Sequence, residues 1–231
     1  MHVIITGVSG GLGLALAHKF LTLGNRVTGI GRKNRIDHSN YRFISCDFQD
    51  LSQVQEIQLE LDHQPVILIN NAGIIGNISR LSDQDLPDVE EVFSVNTLTP
   101  MLLSAKLMRS TSYETPVTIV NISSGAGRRS IPSWAAYCAS KAAIDRFSET
   151  FYLEELEKGR KIRVYSVAPG VIDTAMQRTI RSTAPSDFSS IERFLELKSD
   201  NNLKSPEETA EQILELILHA DFDASNIICS L

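Results

Sequence analysis

Short runs of β-branched and aliphatic residues recur along the chain, and most of them lead through a turn into a helical pattern. Six runs are predicted to be strands, at residues 2–6, 26–30, 41–46, 65–69, 117–122 and 161–167. Strands that alternate with helices at this spacing form βαβ units, and therefore a parallel sheet with helices on both faces. We predict one doubly wound α/β domain that spans residues 1–231.

The helical patterns lie between these strands. They cover residues 14–21, 53–61 behind a Ser52 cap, 83–95, 98–107 with Pro100 in its first turn, and about 135–158 before Gly159. Ser205 and Glu208 are spaced as a capping box, which predicts an amphipathic helix from Pro206 to about His219. Residues 226–229 are predicted to be a last, short strand.

Residues 175–204 do not continue this alternation of strands and helices. They are polar and rich in serine, and only residues 191–197 show a helical pattern. A long insertion after the carboxyl end of a strand lies where ligands bind in such sheets. We therefore predict a substrate lid here, and a mobile surface loop is the alternative.

Composition excludes several classes of function. The net charge of −6 disfavours a nucleic-acid partner, because phosphate binding requires a basic face. The three cysteines form no C-x-x-C pair, so neither a disulfide framework nor a metal site is predicted, and a reducing, cytoplasmic location is expected. The chain starts without a basic segment typical of a signal peptide, and no apolar run reaches the roughly 18 residues of a membrane span.

The first strand leads into a glycine-rich turn, Thr6-Gly7-Val8-Ser9-Gly10-Gly11-Leu12-Gly13, and then into a helix. Glycines let the backbone approach a pyrophosphate closely, and the free N–H groups at the helix start favour an anion. The spacing G-x-x-x-G-x-G differs from the common G-x-G-x-x-G fingerprint. A dinucleotide site is predicted, and a plain tight turn is the alternative.

The second strand ends at Gly31-Arg32-Lys33. In dinucleotide folds an acidic residue at this point binds the 2′-hydroxyl of NAD, whereas an arginine accommodates the 2′-phosphate of NADP. The sequence therefore favours NADP(H) over NAD(H), with a solvated basic loop as the alternative.

Tyr137 and Lys141 are four residues apart in a predicted helix, so they lie on one face, a turn from each other. A nearby ammonium group lowers the pKa of a phenol from about 10, which prepares the phenol for proton transfer near neutral pH. Such pairs are also common on helix surfaces, so this pair alone does not establish catalysis.

Taken together, the motifs resemble those of the short-chain dehydrogenase/reductase family. The matching elements occur in the family's order along nearly the whole chain: the glycine turn, Asp47, Asn70-Asn71-Ala72-Gly73, Asn96, Asn121-Ile122-Ser123-Ser124, Tyr137-x-x-x-Lys141 and Pro169-Gly170-x-x-x-Thr174. The resemblance implies a Rossmann fold and a hydride transfer that involves a nicotinamide cofactor.

The resemblance also implies roles for individual residues. Tyr137 is expected to be the general acid/base, Lys141 to lower the pKa of Tyr137 and bind the nicotinamide ribose, Ser124 (or else Ser123) to hold the substrate oxygen, and Asn96 to position a water for proton relay. The expected cofactor contacts are Gly7, Ser9, Gly11, Leu12 and Gly13 at the pyrophosphate, Arg32 at the 2′-phosphate, Asp47 at the adenine, Asn71, Ala72 and Gly73 at the adenosine ribose, and Pro169, Gly170, Ile172 and Thr174 at the nicotinamide amide.

The expected function is NADPH-dependent reduction of a small ketone or aldehyde, most similar to that of benzil-reductase and sepiapterin-reductase-like carbonyl reductases. Gly10 departs from the basic residue that many NADP-using members carry before the second motif glycine. The short C-terminus makes a homodimer through helices 98–109 and 135–158 the expectation, rather than a tetramer. The alternatives are a sugar or steroid alcohol dehydrogenase, a regulator that binds NADP(H) without catalysis, and an acyl-carrier-protein ketoreductase, for which Arg128 and Arg129 could supply a basic patch.

Overall fold

The computed structural model describes residues 1–62, 64–218 and 221–231, and within them seven strands form one parallel sheet. The order across the sheet is β3-β2-β1-β4-β5-β6-β7, and every neighbouring pair is parallel. The strands are β1 (His2–Thr6), β2 (Arg26–Gly31), β3 (Tyr41–Ser45), β4 (Val66–Asn70), β5 (Val117–Ile122), β6 (Ile162–Ala168) and β7 (Ile228–Ser230). The seven strands confirm the predicted α/β class and the short strand near the C-terminus.

Eight α-helices accompany the strands in the described residues. They are α1 (Gly11–Thr22), α2 (Leu51–Glu56), α3 (Leu86–Phe93), α4 (Thr99–Ser110), α5 (Ala135–Glu157), α6 (Ala175–Arg181), α7 (Ile191–Ser199) and α8 (Pro206–Leu218). A π-helical turn, Ser94–Leu98, joins α3 to α4. The predicted end of the last helix, residue 219, lies outside the described residues.

Two apolar layers cover the sheet because neighbouring residues of a strand point to opposite faces. Ile5 of β1 belongs to the layer that includes Phe20 of α1 and Ile213 of α8. Its neighbour Ile4 belongs to the other layer, with Leu103 of α4 and Phe151 of α5. The sheet is therefore doubly wound, as predicted.

Strand order reverses between β1 and β4. The chain proceeds outward from β1 through β2 to β3, then returns to place β4 on the other side of β1. In open α/β sheets, ligands bind in the crevice beyond the carboxyl ends of the strands at such a point. The glycine turn after β1 and the Asn70–Gly73 stretch that starts at the end of β4 both lie at this crevice.

Local side-chain and backbone conformation moves both ends of α2 away from their predicted positions. Asp50, not Ser52, caps α2, because its carboxylate accepts a 3.0 Å hydrogen bond from the Ser52 N–H. The helix then ends at Glu56, since Ile57 adopts an extended conformation. The capping box predicted for α8 is confirmed: the Glu208 N–H donates to the Ser205 hydroxyl, and the Ser205 N–H donates to the Glu208 carboxylate.

Candidate active site

A cavity of about 960 Å³ opens at the carboxyl ends of the strands. It is lined by Ser124, Tyr137 and Lys141, and by nearly all the residues predicted to bind the cofactor: Gly7, Ser9, Gly11, Leu12, Arg32, Asp47, Asn71, Ala72, Gly73, Pro169, Gly170, Ile172 and Thr174. Two predicted site residues, Gly13 and Asn96, are absent from the lining. The structure thus brings most of the predicted site together and places these two residues behind its surface.

The glycine turn is shaped by its own backbone and by Asn71. Gly7 and Gly11 have φ angles of +76° and +53°, a region that favours glycine. The Asn71 side-chain amide donates to the carbonyl oxygens of Thr6 at 2.9 Å and Gly7 at 3.3 Å. The Thr6 hydroxyl oxygen in turn accepts from the Asn71 and Ala72 N–H groups. These bonds hold the turn against the end of β4.

Gly13 packs against the turn in this structure, and its expected contact with a pyrophosphate stays a prediction. A methyl group on Gly13 would stand 2.4 Å from the Gly7 carbonyl oxygen and 2.4 Å from the Asn71 amide nitrogen. Only glycine therefore lets α1 approach the turn this closely. The contact with Gly7 is with backbone, which cannot rotate away as a flexible side chain would.

Replacing Gly13 by alanine is expected to destabilise the protein. Overpacking of this kind costs about 2–3 kcal/mol, which corresponds to a Tm lower by roughly 5–10 °C in a chain of this size. Gly10→Ala is the matched control, because nothing lies within 4 Å of a methyl group at that position. Thermal unfolding of both variants checks this, and equal Tm values would contradict the packing role.

Two arginines lie at the end of the cavity next to β2. Arg32 and Arg35 line it, are exposed, and form no ion pair within the described residues. The Ser9 hydroxyl donates to the Lys33 carbonyl oxygen at 3.0 Å, which ties the glycine turn to this basic loop. The sequence patterns did not indicate Arg35, although its position three residues after Arg32 in the same loop was a usable signal.

Tyr137 lies at the inner end of the cavity and is only 7 % exposed. Burial raises the pKa of Tyr137 above its ordinary value, and the nearby Ser124 hydroxyl acts more weakly in the opposite direction. The predicted effect of Lys141 on that pKa stays a prediction. Exclusion of water penalises the phenolate, and the Lys141 ammonium stands 5.8 Å from the centroid of the Tyr137 ring.

Lys141 is 4 % exposed, and its ammonium group donates a 2.8 Å hydrogen bond to the Ile122 carbonyl oxygen at the end of β5. Burial lowers the pKa of Lys141 to about 8, while the negative charge of Asp145, one helical turn further on, acts in the opposite direction. The Lys141 ammonium therefore titrates close to physiological pH.

This pKa predicts a pH dependence of stability. Between pH 8 and 10 the unfolded lysine still holds its proton while the folded Lys141 loses it, so the free energy of unfolding rises with pH. The free energy of unfolding of the wild type, measured relative to that of Lys141→Met, is expected to rise by about 2 kcal/mol from pH 7 to pH 10. Denaturant titrations at several pH values measure this. Lys161→Met, which removes an exposed ammonium group, is the control, and a flat or falling difference for Lys141→Met would contradict the assignment.

Asn96 sits in the π-helical turn behind the cavity. Its side chain accepts from the Ile74 N–H at 2.9 Å and donates to the Ile74 carbonyl oxygen at 2.9 Å and the Ser140 hydroxyl at 3.1 Å. A methyl group on Gly73 would stand 3.4 Å from the Asn96 oxygen and 3.5 Å from the Lys141 nitrogen. Asn96 thus fixes the loop after β4 beside Lys141, and its expected part in a water relay stays a prediction.

An aromatic cluster, defined here as Trp134, Phe188 and Phe194, lies beside Tyr137 at the cavity. The Trp134 and Phe188 rings are stacked at 5.2 Å and 11°, and Phe194 lies 5.3 Å from Trp134. Trp134 also meets Tyr137 edge-on at 5.6 Å. Phe188 and Phe194 belong to residues 175–204, so this segment packs directly beside Tyr137. Two phenylalanines in a polar stretch were the available sequence signal for this packing.

Backbone pairing and ion pairs attach the same segment to the end of β6. Lys204 pairs with the stretch after Gly170, where its N–H donates to the Val171 carbonyl oxygen at 3.0 Å. Asp173 forms ion pairs with Lys198 at 2.6 Å and Arg181 at 3.6 Å. The segment therefore contains two ordered helices, α6 and α7, where the sequence indicated one helical patch.

In the part of the chain that the structure describes, histidine, cysteine and acidic side chains do not gather in groups of three or more that could hold a metal ion. None of the described helices has the length and apolar character that a membrane span requires.

Comparison with known proteins agrees with this geometry. Residues 1–185 match the model of the short chain dehydrogenase family. The chain belongs to that family. It is therefore an oxidoreductase, and the resemblance inferred from its motifs is confirmed.

Among relatives of this short-chain dehydrogenase are two benzil reductases that form (S)-benzoin. The Bacillus cereus protein is 33 % identical over 98 % of both chains, and the Bacillus subtilis protein is 35 % identical over 93 % of this chain and 92 % of its own. Sepiapterin reductase of Rattus norvegicus is 32 % identical over 76 % of this chain and 67 % of its own.

Solved structures share the fold. A short-chain dehydrogenase/reductase from Saccharomyces cerevisiae has a TM-score of 0.83 at 24 % identity, over 99 % of this chain and 95 % of its own. A 4-hydroxyisoleucine dehydrogenase solved with NADH has a TM-score of 0.77 at 24 % identity, over 94 % of this chain and 91 % of its own. A serine dehydrogenase solved with NADP⁺ has a TM-score of 0.72 at 20 % identity, over 100 % of this chain and 94 % of its own.

Proposed function

We propose that this short-chain dehydrogenase reduces a ketone or aldehyde to an alcohol at the expense of NADPH, with Tyr137 as the proton donor. The observation that carries the proposal is the inner end of the cavity, where Ser124, Tyr137 and Lys141 line one wall. The reaction builds negative charge on the carbonyl oxygen, and hydroxyl donors aimed at that oxygen stabilise it.

The residues present fit a nicotinamide dinucleotide. Gly7 and Gly11 leave the backbone of the turn bare at the start of α1, where free N–H groups favour a pyrophosphate. Asp47 and Asn71 also line the cavity. Asp47 follows β3, and Asn71 follows the end of β4. Pro169 and Thr174 line it on the side of β6, where the nicotinamide would be held.

The basic loop supports NADPH over NADH. Arg32 and Arg35 are both free of ion pairs within the described residues, so either guanidinium can pair with a 2′-phosphate. Ser9 fixes the loop backbone through Lys33. Gly31, at the end of β2, presents no carboxylate that would bind a 2′-hydroxyl and repel the phosphate.

The cofactor supplies a hydride when bound, and the chain's own residues manage the oxygen and the proton. Ser124 and Tyr137 donate hydrogen bonds to the carbonyl oxygen, and Tyr137 transfers its proton to that oxygen as the alcohol forms. The raised pKa of Tyr137 keeps its hydroxyl protonated before the reaction. Lys141 stabilises the phenolate that remains, and Asn96 holds the loop beside Lys141 during proton return.

The relatives and the lining support a carbonyl substrate that has an aromatic or otherwise apolar body. The named activity of two relatives is reduction of benzil, an aromatic diketone. In this chain Trp134, Phe194 and Ile131 line the cavity near Tyr137. Residues 175–204 contribute Phe194 and so act as the lid in this proposal, excluding water from the substrate.

Exposed apolar side chains support the expected homodimer. Leu98 and Met101 are exposed at the start of α4, and Leu153 and Leu156 are exposed in the second half of α5. Unpaired apolar residues on these two helices favour association of two copies through them. Light scattering on the purified protein measures the mass directly.

Purified protein mixed with NADPH and a panel of aromatic diketones, ketones and aldehydes tests the proposal. The expected result is loss of NADPH absorbance with at least one carbonyl compound. A protein that binds NADPH but consumes none with any member of the panel would be the regulator considered as the alternative, and reduction would be rejected.

A further inference from the structure

We propose that the natural substrate is an oxo acid: a ketone with a carboxylate close to the carbonyl, which is bound by Arg129 with help from Arg193. This inference rests on the proposed carbonyl reduction and names its substrate class. Arg129 and Arg193 both line the cavity, and neither forms an ion pair within the described residues.

The cavity is strongly positive although the chain as a whole has a net charge of −6. Its lining carries six basic residues, Arg32, Arg35, Arg129, Lys141, Arg178 and Arg193, against two acidic ones, Asp47 and Asp173. Asp173 is already paired with Lys198 and Arg181. A cleft lined by one sign of charge raises the local concentration of oppositely charged ligands.

Arg129 and Arg193 differ from the other basic residues of the lining in their position along the cavity. Arg32 and Arg35 lie at the end of the cavity next to β2, and Lys141 lies beside Tyr137. The hydrogen bond from Lys198 is the main cause that lowers the pKa of the Asp173 carboxyl, and the charge of Arg178 makes the smallest contribution in the same direction. Arg129 and Arg193 remain without an assigned anion.

The position of Arg129 determines where an anion would lie relative to the reacting carbonyl. A methyl group built on Gly125 would stand 2.8 Å from a terminal nitrogen of the Arg129 guanidinium, so this group lies over the Gly125 backbone. Gly125 directly follows Ser124, whose hydroxyl is proposed to hold the carbonyl oxygen. A carboxylate paired with Arg129 would therefore lie on the same side of the cavity as the carbonyl held by Ser124.

Arg193 lies next to Phe194 on α7, on the segment that covers the substrate end. It lines the same cavity as Trp134 and Ile131. The site thus combines an apolar wall with two guanidinium groups, which matches an oxo acid that carries an aromatic or aliphatic body. A guanidinium can bind a carboxylate through two parallel hydrogen bonds.

An acidic carrier protein is a different explanation for the same charge, and the structure disfavours it. Arg128, the other half of the predicted basic patch, donates to the Cys229 carbonyl oxygen at 3.3 Å and stands 3.8 Å from the buried Asp145 carboxylate. Of these two arginines, only Arg129 is available to pair with an acidic partner, and it faces the cavity beside Ser124.

The test compares 2-oxo-2-phenylacetate with its neutral methyl ester, using NADPH and the full-length protein. Arg129→Gln is expected to lower kcat/KM for the acid by about 10- to 100-fold and to change kcat/KM for the ester less than about twofold. Arg193→Gln should lower kcat/KM for the acid by a smaller factor. Arg26→Gln, at the opposite end of the sheet, is the control that should alter neither. Because each variant is judged by the ratio of acid to ester, intrinsic reactivity cancels.

Activity on the ester also shows that each variant is folded and that carbonyl reduction occurs. An equal loss on both compounds, an unchanged ratio in Arg129→Gln, or reduction of the ester without the acid would overturn the oxo-acid inference alone. A strong preference for a 3-oxoacyl group attached to a carrier protein would also overturn it. Failure to reduce any carbonyl compound would overturn both this inference and the proposed reduction.

Discussion

Replacing Tyr137 by phenylalanine is expected to lower kcat for carbonyl reduction by roughly 10²- to 10⁴-fold, while NADPH still binds. The substitution removes the one hydroxyl that can both bind the substrate oxygen and give it a proton. It keeps the ring, which packs edge-on against Trp134 at 5.6 Å, so the cavity wall is preserved. Steady-state kinetics and a fluorescence titration with NADPH measure the two effects.

Tyr152→Phe is the matched control for this experiment. Tyr152 is a tyrosine on the same helix with a similar burial, but it packs in the core layer with Phe222 and does not line the cavity. Its replacement should leave kcat within about twofold, as is usual for changes far from reacting groups. If Tyr137→Phe and Tyr152→Phe had the same kcat, Tyr137 would not be the proton donor.

Replacing Arg32 by aspartate is expected to reverse the preference between the two cofactors. Loss of a charge-assisted hydrogen bond to the 2′-phosphate, together with repulsion from the new carboxylate, should lower kcat/KM for NADPH by roughly 10²-fold or more. The same carboxylate can accept a hydrogen bond from the 2′-hydroxyl of NADH, so kcat/KM for NADH should be kept or raised. The ratio of the two constants is the quantity to measure.

Lys33→Asp separates a specific contact from a general change of charge. Lys33 is adjacent in the same loop and undergoes the same change of charge, but its side chain does not line the cavity. Its replacement should change the cofactor ratio only slightly. Arg32→Asp with an unchanged ratio would contradict the phosphate role of Arg32, and a similar loss in both variants would indicate general electrostatics instead.

The sheet was predictable because strand signals are local. Runs such as Val66-Ile67-Leu68-Ile69 are apolar at every position, which is typical of a parallel strand buried on both faces, and all six predicted strands are present. Helix α2 was less well predicted because its boundaries depend on a competition between two caps, Asp50 and Ser52, and on the extended Ile57.

Long-range packing explains what the sequence did not indicate about the site. The motif positions converge on one cavity because they lie at the carboxyl ends of parallel strands, and this follows from topology alone. The direction of the Tyr137 pKa depends instead on burial beneath the aromatic cluster, and the packing of Gly13 on backbone depends on how closely α1 approaches the turn. The spacing of residues along the chain indicates neither how deeply Tyr137 is buried nor how closely α1 approaches the turn.

The most direct test of the central claim follows the transferred hydrogen. NADPH that carries deuterium in place of both hydrogens at the reactive carbon of the nicotinamide is incubated with wild-type protein and an aromatic diketone, and the alcohol is examined by mass spectrometry and NMR. The proposed reduction predicts one deuterium on the carbinol carbon for each NADPH consumed, with a strongly reduced yield in Tyr137→Phe. An alcohol without the label, or no alcohol from a protein that binds NADPH, would contradict it.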